Sequence, residues 1–229
     1  MSTAAITKNR IDPTERTKRI VTLAMLAALA YAIMYVGRVP LWGFVNYDPK
    51  DVVIIISGFI YGPLSAATIS VVVSFLEMIT VSDTGPMGML MNIISTCSFA
   101  CTASFVYSRF RTKRGALAGL ICGVAVVVPV MLLWNYIITP LYMETTRETV
   151  AAMLLPIFLP ANLLKSCINM AITLLLYKPI ITALRRVNLL PESRAADSAG
   201  GKVSLGITIL ALAILITAIL IVLVHQGII

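Results

Sequence analysis

Residues 20–36 read IVTLAMLAALAYAIMYV, seventeen positions without a charge, entered directly from Arg16, Lys18 and Arg19. A bilayer's hydrocarbon core is about 30 Å thick, and roughly 20 apolar helical residues cross it. A basic lead into such a run marks the cytoplasmic end of a membrane helix. The rest of the chain repeats the pattern. Of its 229 residues 59% are hydrophobic and 12% charged, with a mean hydropathy of +0.95, whereas a soluble domain is about half apolar and a quarter charged. The sequence therefore predicts an all-α, multi-pass membrane protein.

Working outward, the N-terminal residues 1–19 form a basic tail, with no small-residue cleavage site after the apolar run that follows. Helices are expected at Ile20–Val36, Asp51–Tyr61, Leu64–Val81, Met89–Tyr107, Ala116–Ile138 and Val150–Leu184. The second is too short to span upright and ends at Gly62-Pro63. Pro156 and Pro160 should bend the sixth near its start. Residues 20–186 thus make a six-helix membrane domain. A Pro, Ser, Ala and Gly-rich linker occupies 187–202, and residues 203–229 hold a seventh, uniformly aliphatic span, expected at Val203–Val224, with a short tail.

The formal charge of +8 invites a nucleic-acid reading. However, the basic residues sit just outside the apolar segments, where they set topology. With Arg16–Arg19 cytoplasmic, RFRTKR (Arg109–Arg114) and Arg185-Arg186 are cytoplasmic too. The Gly37–Lys50 loop, SDTGPMG (Ser82–Gly88) and the Glu144 loop then lie together outside, and seven spans put the C-terminus outside as well. The four cysteines all fall in apolar segments, so buried thiols are expected rather than disulfides. Cys97 and Cys101 share a helix face but have no nearby His or carboxylate in sequence to complete a metal site.

Polar groups inside the apolar runs carry the functional signal. Lys165 lies in LPANLLKSCIN, one turn after Asn162. An intramembrane lysine faces a bundle interior or aqueous cavity and is paired, which makes it a candidate site residue; the structural alternative is a snorkelling side chain or one neutralised by a carboxylate such as Glu77. Asn135, between Trp134 and Tyr136, offers a donor and an acceptor, the complement of an imide edge. The run GFVNYDPKDVVIII (Gly43–Ile56) places Asn46, Tyr47, Asp48, Lys50 and Asp51 against an apolar helix start. Asp48 and Asp51 are positioned to cap that helix. Ala24, Ala28 and Ala32, four apart, form a small-residue stripe suited to close helix approach, within this protein or with a partner. No nucleophile–base pair or phosphate-binding GxxxxGK[ST] loop is present, and the only histidine is His225. The sequence gives no basis for an enzyme, and ATP-driven work would fall to another chain.

Taken in order, NYDPKDVV, GFIYGP, GPMGMLMN, the WNY helix and NLLKSCIN resemble the riboflavin-specific substrate-binding S component of energy-coupling factor (ECF) vitamin transporters, over roughly residues 17–186. The resemblance implies a six-helix bundle with an outer pocket under the first loop, and transport that needs a transmembrane coupling subunit and two cytoplasmic ATPases. It implies flavin contacts from Asn135 and Lys165, with Asn162 beside them and Leu41 and Phe44 in the lid. Trp42, Asn46, Tyr47 and Asp48 complete the lid, and Met87, Gly88 and Asn92 are further pocket candidates. It also implies that Ala24, Ala28 and Ala32 meet the coupling subunit. The seventh helix departs from the family pattern. Another vitamin on the same scaffold, such as folate or thiamin, and a membrane anchoring or assembly protein are the competing readings.

Overall fold

The structure, a computed structural model, describes residues 13–42, 45–82, 84–187, 189 and 205–227. The expectations for the first 12 residues, for Phe44 and for most of the linker lie outside the described residues. The elements are α1 (Pro13–Gly37), β1 (Val39–Trp42), β2 (Val45–Tyr47), α2 (Lys50–Tyr61), α3 (Pro63–Thr80), α4 (Gly85–Phe110), α5 (Lys113–Tyr142), α6 (Arg147–Met153), a π turn (Leu154–Phe158) and α7 (Leu159–Arg186). The last is α8 (Leu205–His225).

Among the described residues, six stretches are long and apolar enough to cross a membrane: α1, α3, α4, α5, the run from α6 through α7, and α8. The exception is α2. Its 12 residues rise about 18 Å, well short of the roughly 30 Å hydrocarbon core. Arg19 Nη2 donates to the Tyr61 carbonyl at 3.4 Å and to Ser65 Oγ at 3.0 Å, which ties the start of α1 to the α2–α3 turn at one end of the bundle. Gly62 makes that turn with φ +92°, a conformation that disfavours residues with a Cβ.

The hairpin before α2 fills the remaining depth at the other end. The sequence reads Gly37–Lys50 as a loop; within it lies an antiparallel β1–β2 pair with Val39 opposite Tyr47 and Pro40 opposite Asn46. Backbone at membrane depth must find partners within the protein, and pairing the strands satisfies that demand. Helix starts also fall earlier than expected, most of all in α1 and α4. Helix α1 begins at Pro13, so Arg16–Arg19 extend the helix rather than precede it. Helix α4 begins at Gly85 with Pro86 in its first turn, so only the front of SDTGPMG is turn.

The core runs the length of the bundle through Leu26, Ile54, Ile55, Ile69, Val73, Phe99, Leu120, Val127 and Leu174. At the α4–α5 contact a Cβ on Gly119 would stand 2.5 Å from the Ala103 carbonyl oxygen, so only glycine allows that approach. The sixth predicted helix is interrupted where Pro156 and Pro160 remove backbone donors, and the chain widens into the π turn there. Helix α8 packs along α7 and reaches the hairpin. Leu41 and Tyr47 from the strands, Leu164 and Ile168 from α7 and Ala218 from α8 form one cluster. Gln226 Nε2 donates to the Pro40 carbonyl at 3.0 Å. The end of α8 therefore lies on the hairpin side, opposite the start of α1.

Candidate binding site

A cavity of ≈ 280 Å³ opens at the hairpin end of the bundle. Its wall takes Arg38, Val45, Asn46 and Asp48 from the lid segment and Glu77, Ser82 and Thr84 from the end of α3 and the following turn. Gly88, Met91, Asn92 and Ser95 come from α4, Met131 and Asn135 from α5, and Phe158, Asn162 and Lys165 from the π turn and α7. Helical spacing explains the sets: 88, 91, 92 and 95 share one face of α4, as 158, 162 and 165 share one face running from the π turn into α7.

Seven of the residues singled out in the sequence meet at this wall: Asn46, Asp48, Gly88, Asn92, Asn135, Asn162 and Lys165. Three do not line it. Leu41 and Tyr47 point into the α7–α8 cluster, because alternate residues of a strand face opposite sides. Met87 is part-exposed on the outside of α4, and Met91, one turn on, takes the inward place. Phe44 and the side chain of Trp42 lie outside the described residues. Met131, Met91, Phe158 and Ser95 are wall residues with no separate signal in the sequence, although Ser95 lies three residues after Asn92 and so on the same face.

Both asparagines are braced by their own helices. Asn135 Nδ2 donates to the Met131 carbonyl at 2.7 Å, and Thr139 Oγ1 donates to Asn135 Oδ1 at 3.3 Å. Asn162 Nδ2 donates to the Phe158 carbonyl at 2.8 Å, and Ser166 Oγ donates to the Asn162 carbonyl at 2.7 Å. Each amide keeps hydrogen-bonding capacity beyond these contacts.

The charged groups form one network of three cations and three carboxylates. Lys165 Nζ stands 3.6 Å from Asp48 Oδ2 and 3.5 Å from Asp51 Oδ2. Lys50 is bonded to Glu77 and lies 3.7 Å from Asp48 Oδ2. Arg38 reaches Asp48 at 3.4 Å and Glu77 at 3.7 Å. Asp48, Lys50, Asp51 and Glu77 are buried, and with Arg38 and Lys165, which keep some exposure at the cavity, the opposite charges balance; a buried ion left unpaired costs several kcal/mol.

Carboxylates do neutralise Lys165, as the structural alternative had it, but the partners are Asp48 and Asp51, while Glu77 serves Lys50 and Arg38. The capping expectation is corrected. Neither Asp48 nor Asp51 caps α2, whose N-cap is Pro49 with no side-chain cap bond. Their carboxylates turn inward because Lys165, Lys50 and Thr96 offer donors there. Arg38 and Glu77 were missed as wall residues. The signal was available: a lone carboxylate within the apolar α3 requires a cation.

The model of the family described as ECF transporter, substrate-specific component, matches residues 18–177. The chain belongs to this family. The riboflavin transporter FmnP of Bacillus subtilis (strain 168) is 28% identical over 133 residues, which cover 56% of this chain and 70% of that protein. The riboflavin transporter RibU of Streptococcus thermophilus is 23% identical over 180 residues, 73% of this chain and 85% of that one. A solved S component of a bacterial ECF transporter superposes with a TM-score of 0.64 at 24% identity, covering 74% of this chain and 98% of that structure. The S-component fold is thus shared, and the protein is a membrane component of a transporter rather than an enzyme. Helix α8 lies beyond the residues that match the family.

Proposed function

We propose that this S component binds riboflavin in the cavity at the hairpin end and supports its uptake together with a coupling subunit and two ATPases. The carrying observation is the cavity wall itself: Asn135, Asn162, Asn92 and Lys165 stand beside Met91, Met131 and Phe158 in one enclosure. Riboflavin is a flat, amphipathic tricycle with an imide edge and a hydroxylated chain, and a site for it needs apolar walls with a few placed polar groups. The names of the two curated relatives support the same ligand. In this reading Lys165 and Asn135 meet polar atoms of the flavin, Asn162 lies beside them, and the β1–β2 hairpin is the lid.

The exposed face of α1 supports a coupling partner. Thr22, Leu26, Ala30 and Met34 turn inward, which leaves Ala24, Ala28 and Ala32 on the outer face, where their small side chains permit close helix approach. The α1 start is then cytoplasmic and the hairpin end external.

The optical spectrum of the detergent-purified protein tests the ligand. A flavin absorption band, present on isolation or after adding riboflavin and gel filtration, is the expected result. A colourless protein that also fails to quench riboflavin fluorescence rejects it.

A further inference from the structure

Asp51 is 3% exposed yet does not line the cavity. It stands in the first turn of α2, behind the wall, and its carboxylate joins three helices. Oδ1 accepts from Thr96 Oγ1 of α4 at 2.7 Å. Oδ2 accepts from Asn169 Nδ2 of α7 at 3.3 Å and lies 3.5 Å from Lys165 Nζ. Lys165 and Asn169 are four apart, on one face of α7, so a single oxygen holds both.

The second carboxylate at Lys165 differs in placement. Asp48 directly follows the hairpin, lines the cavity and is shared with Arg38 and Lys50. Asp48 is attached to the lid through its neighbour Tyr47, the last residue of β2. Asp51 lies inside α2 and is held by donors from α4 and α7, not by the strands.

We propose that Asp51 is the positioning residue of the binding site: it fixes the Lys165 ammonium at the cavity wall, whatever the state of the lid, so that the cation meets an incoming ligand already oriented. This rests on the reading of the cavity as a riboflavin site, and pre-orienting a side chain favours binding by lowering its ordering cost.

The full chain in detergent, with Asp51→Asn and Lys165→Met alone and combined, tests it by two readouts. Riboflavin titration by fluorescence quenching should show Asp51→Asn raising Kd roughly tenfold in the wild-type background, about 1.4 kcal/mol, and leaving Kd unchanged where Lys165 is already Met, the non-additivity expected of a residue acting through another. Independently of any flavin, acetylation of Lys165 by acetic anhydride, followed by mass spectrometry on the ligand-free protein, should quicken several-fold in Asp51→Asn. Asp51→Glu should restore part of both. Thr96→Val, which leaves every charge in place but frees Oδ1, should shift both readouts the same way by less, and it supplies the answer if Asp51→Asn does not fold. Equal effects of Asp51→Asn on Kd in the two backgrounds would overturn the proposal. So would an unchanged acetylation rate in the Asp51 and Thr96 variants. A wild-type protein that binds no riboflavin, with Lys165 acetylation still controlled by Asp51, rejects the ligand and keeps the positioning role.

Discussion

At the scale of single residues, Lys165 cannot be altered without consequence for its neighbours. Lys165→Met alone leaves Asp48 and Asp51 with one cation fewer, and breaking a buried pair from one side costs about 3–5 kcal/mol. A marked fall in melting temperature is therefore expected from this variant. Adding Asp51→Asn removes one negative charge as well and should restore most of the melting temperature. It should leave riboflavin binding impaired, because the cationic donor is gone. A hydrogen bond to a charged group is worth about 1.5–3 kcal/mol, and each 1.4 kcal/mol is roughly tenfold. The double variant should thus bind about ten- to a hundredfold more weakly than the wild type. Thermal melts without ligand, beside fluorescence titrations, separate the two effects. Wild-type affinity in the stabilised double variant would assign Lys165 to the ion network alone. This lysine and Asn135 were legible in the sequence, since each is polar within an apolar run. The identity of the partners was not legible. Asp51 and Lys165 are 114 positions apart, and which carboxylate reaches which cation depends on helix rotation.

Among the elements, α1 and α8 present contrasting faces. Helix α1 buries one residue per turn against α2 and α3 and leaves its alanine stripe outward. Ala28→Trp puts bulk on that outer face, remote from the cavity wall. It should weaken association with the coupling subunit while leaving the riboflavin Kd within about twofold, as surface changes away from a site rarely exceed ±0.5 kcal/mol. Co-purification with the coupling subunit, read beside fluorescence titration, decides the matter. Loss of both together would place the stripe in internal packing. The stripe was visible in the sequence because its period is that of a helix. Its outward direction was not, since small residues suit an internal crossing equally well. Helix α8 was legible only as an aliphatic span. Its contacts with α7 and with Leu41, Tyr47 and Pro40 of the hairpin had no local signal, because an apolar surface carries no mark of its partner.

For the whole molecule, the two ends of the bundle differ in chemistry. Arg19 marks the end with the α2–α3 turn, and the RFRTKR segment joins α4 to α5. Basic connections favour the cytoplasmic side. Since Gln226 reaches the hairpin, the end of α8 lies at the opposite end of the bundle from the start of α1. Single cysteines introduced at Arg194 and Gly227, in a background with Cys97, Cys101, Cys122 and Cys167 replaced by serine or alanine, test the orientation in intact cells. An impermeant maleimide should label Gly227→Cys from outside, and Arg194→Cys only after lysis. Labelling of Arg194→Cys in intact cells would invert the assignment.

The sequence by itself determined the membrane class, the apolar segments, the proline break and the polar positions, because each follows from local hydropathy, backbone donors or helical period. It did not determine the hairpin, the inward turn of Asp48 and Asp51, or the way the six networked charges divide into pairs. Those were decided by the tertiary structure. The physical reason is that a buried charge or backbone group takes whichever partner the packed helices bring within reach, and that partner comes from a distant part of the chain.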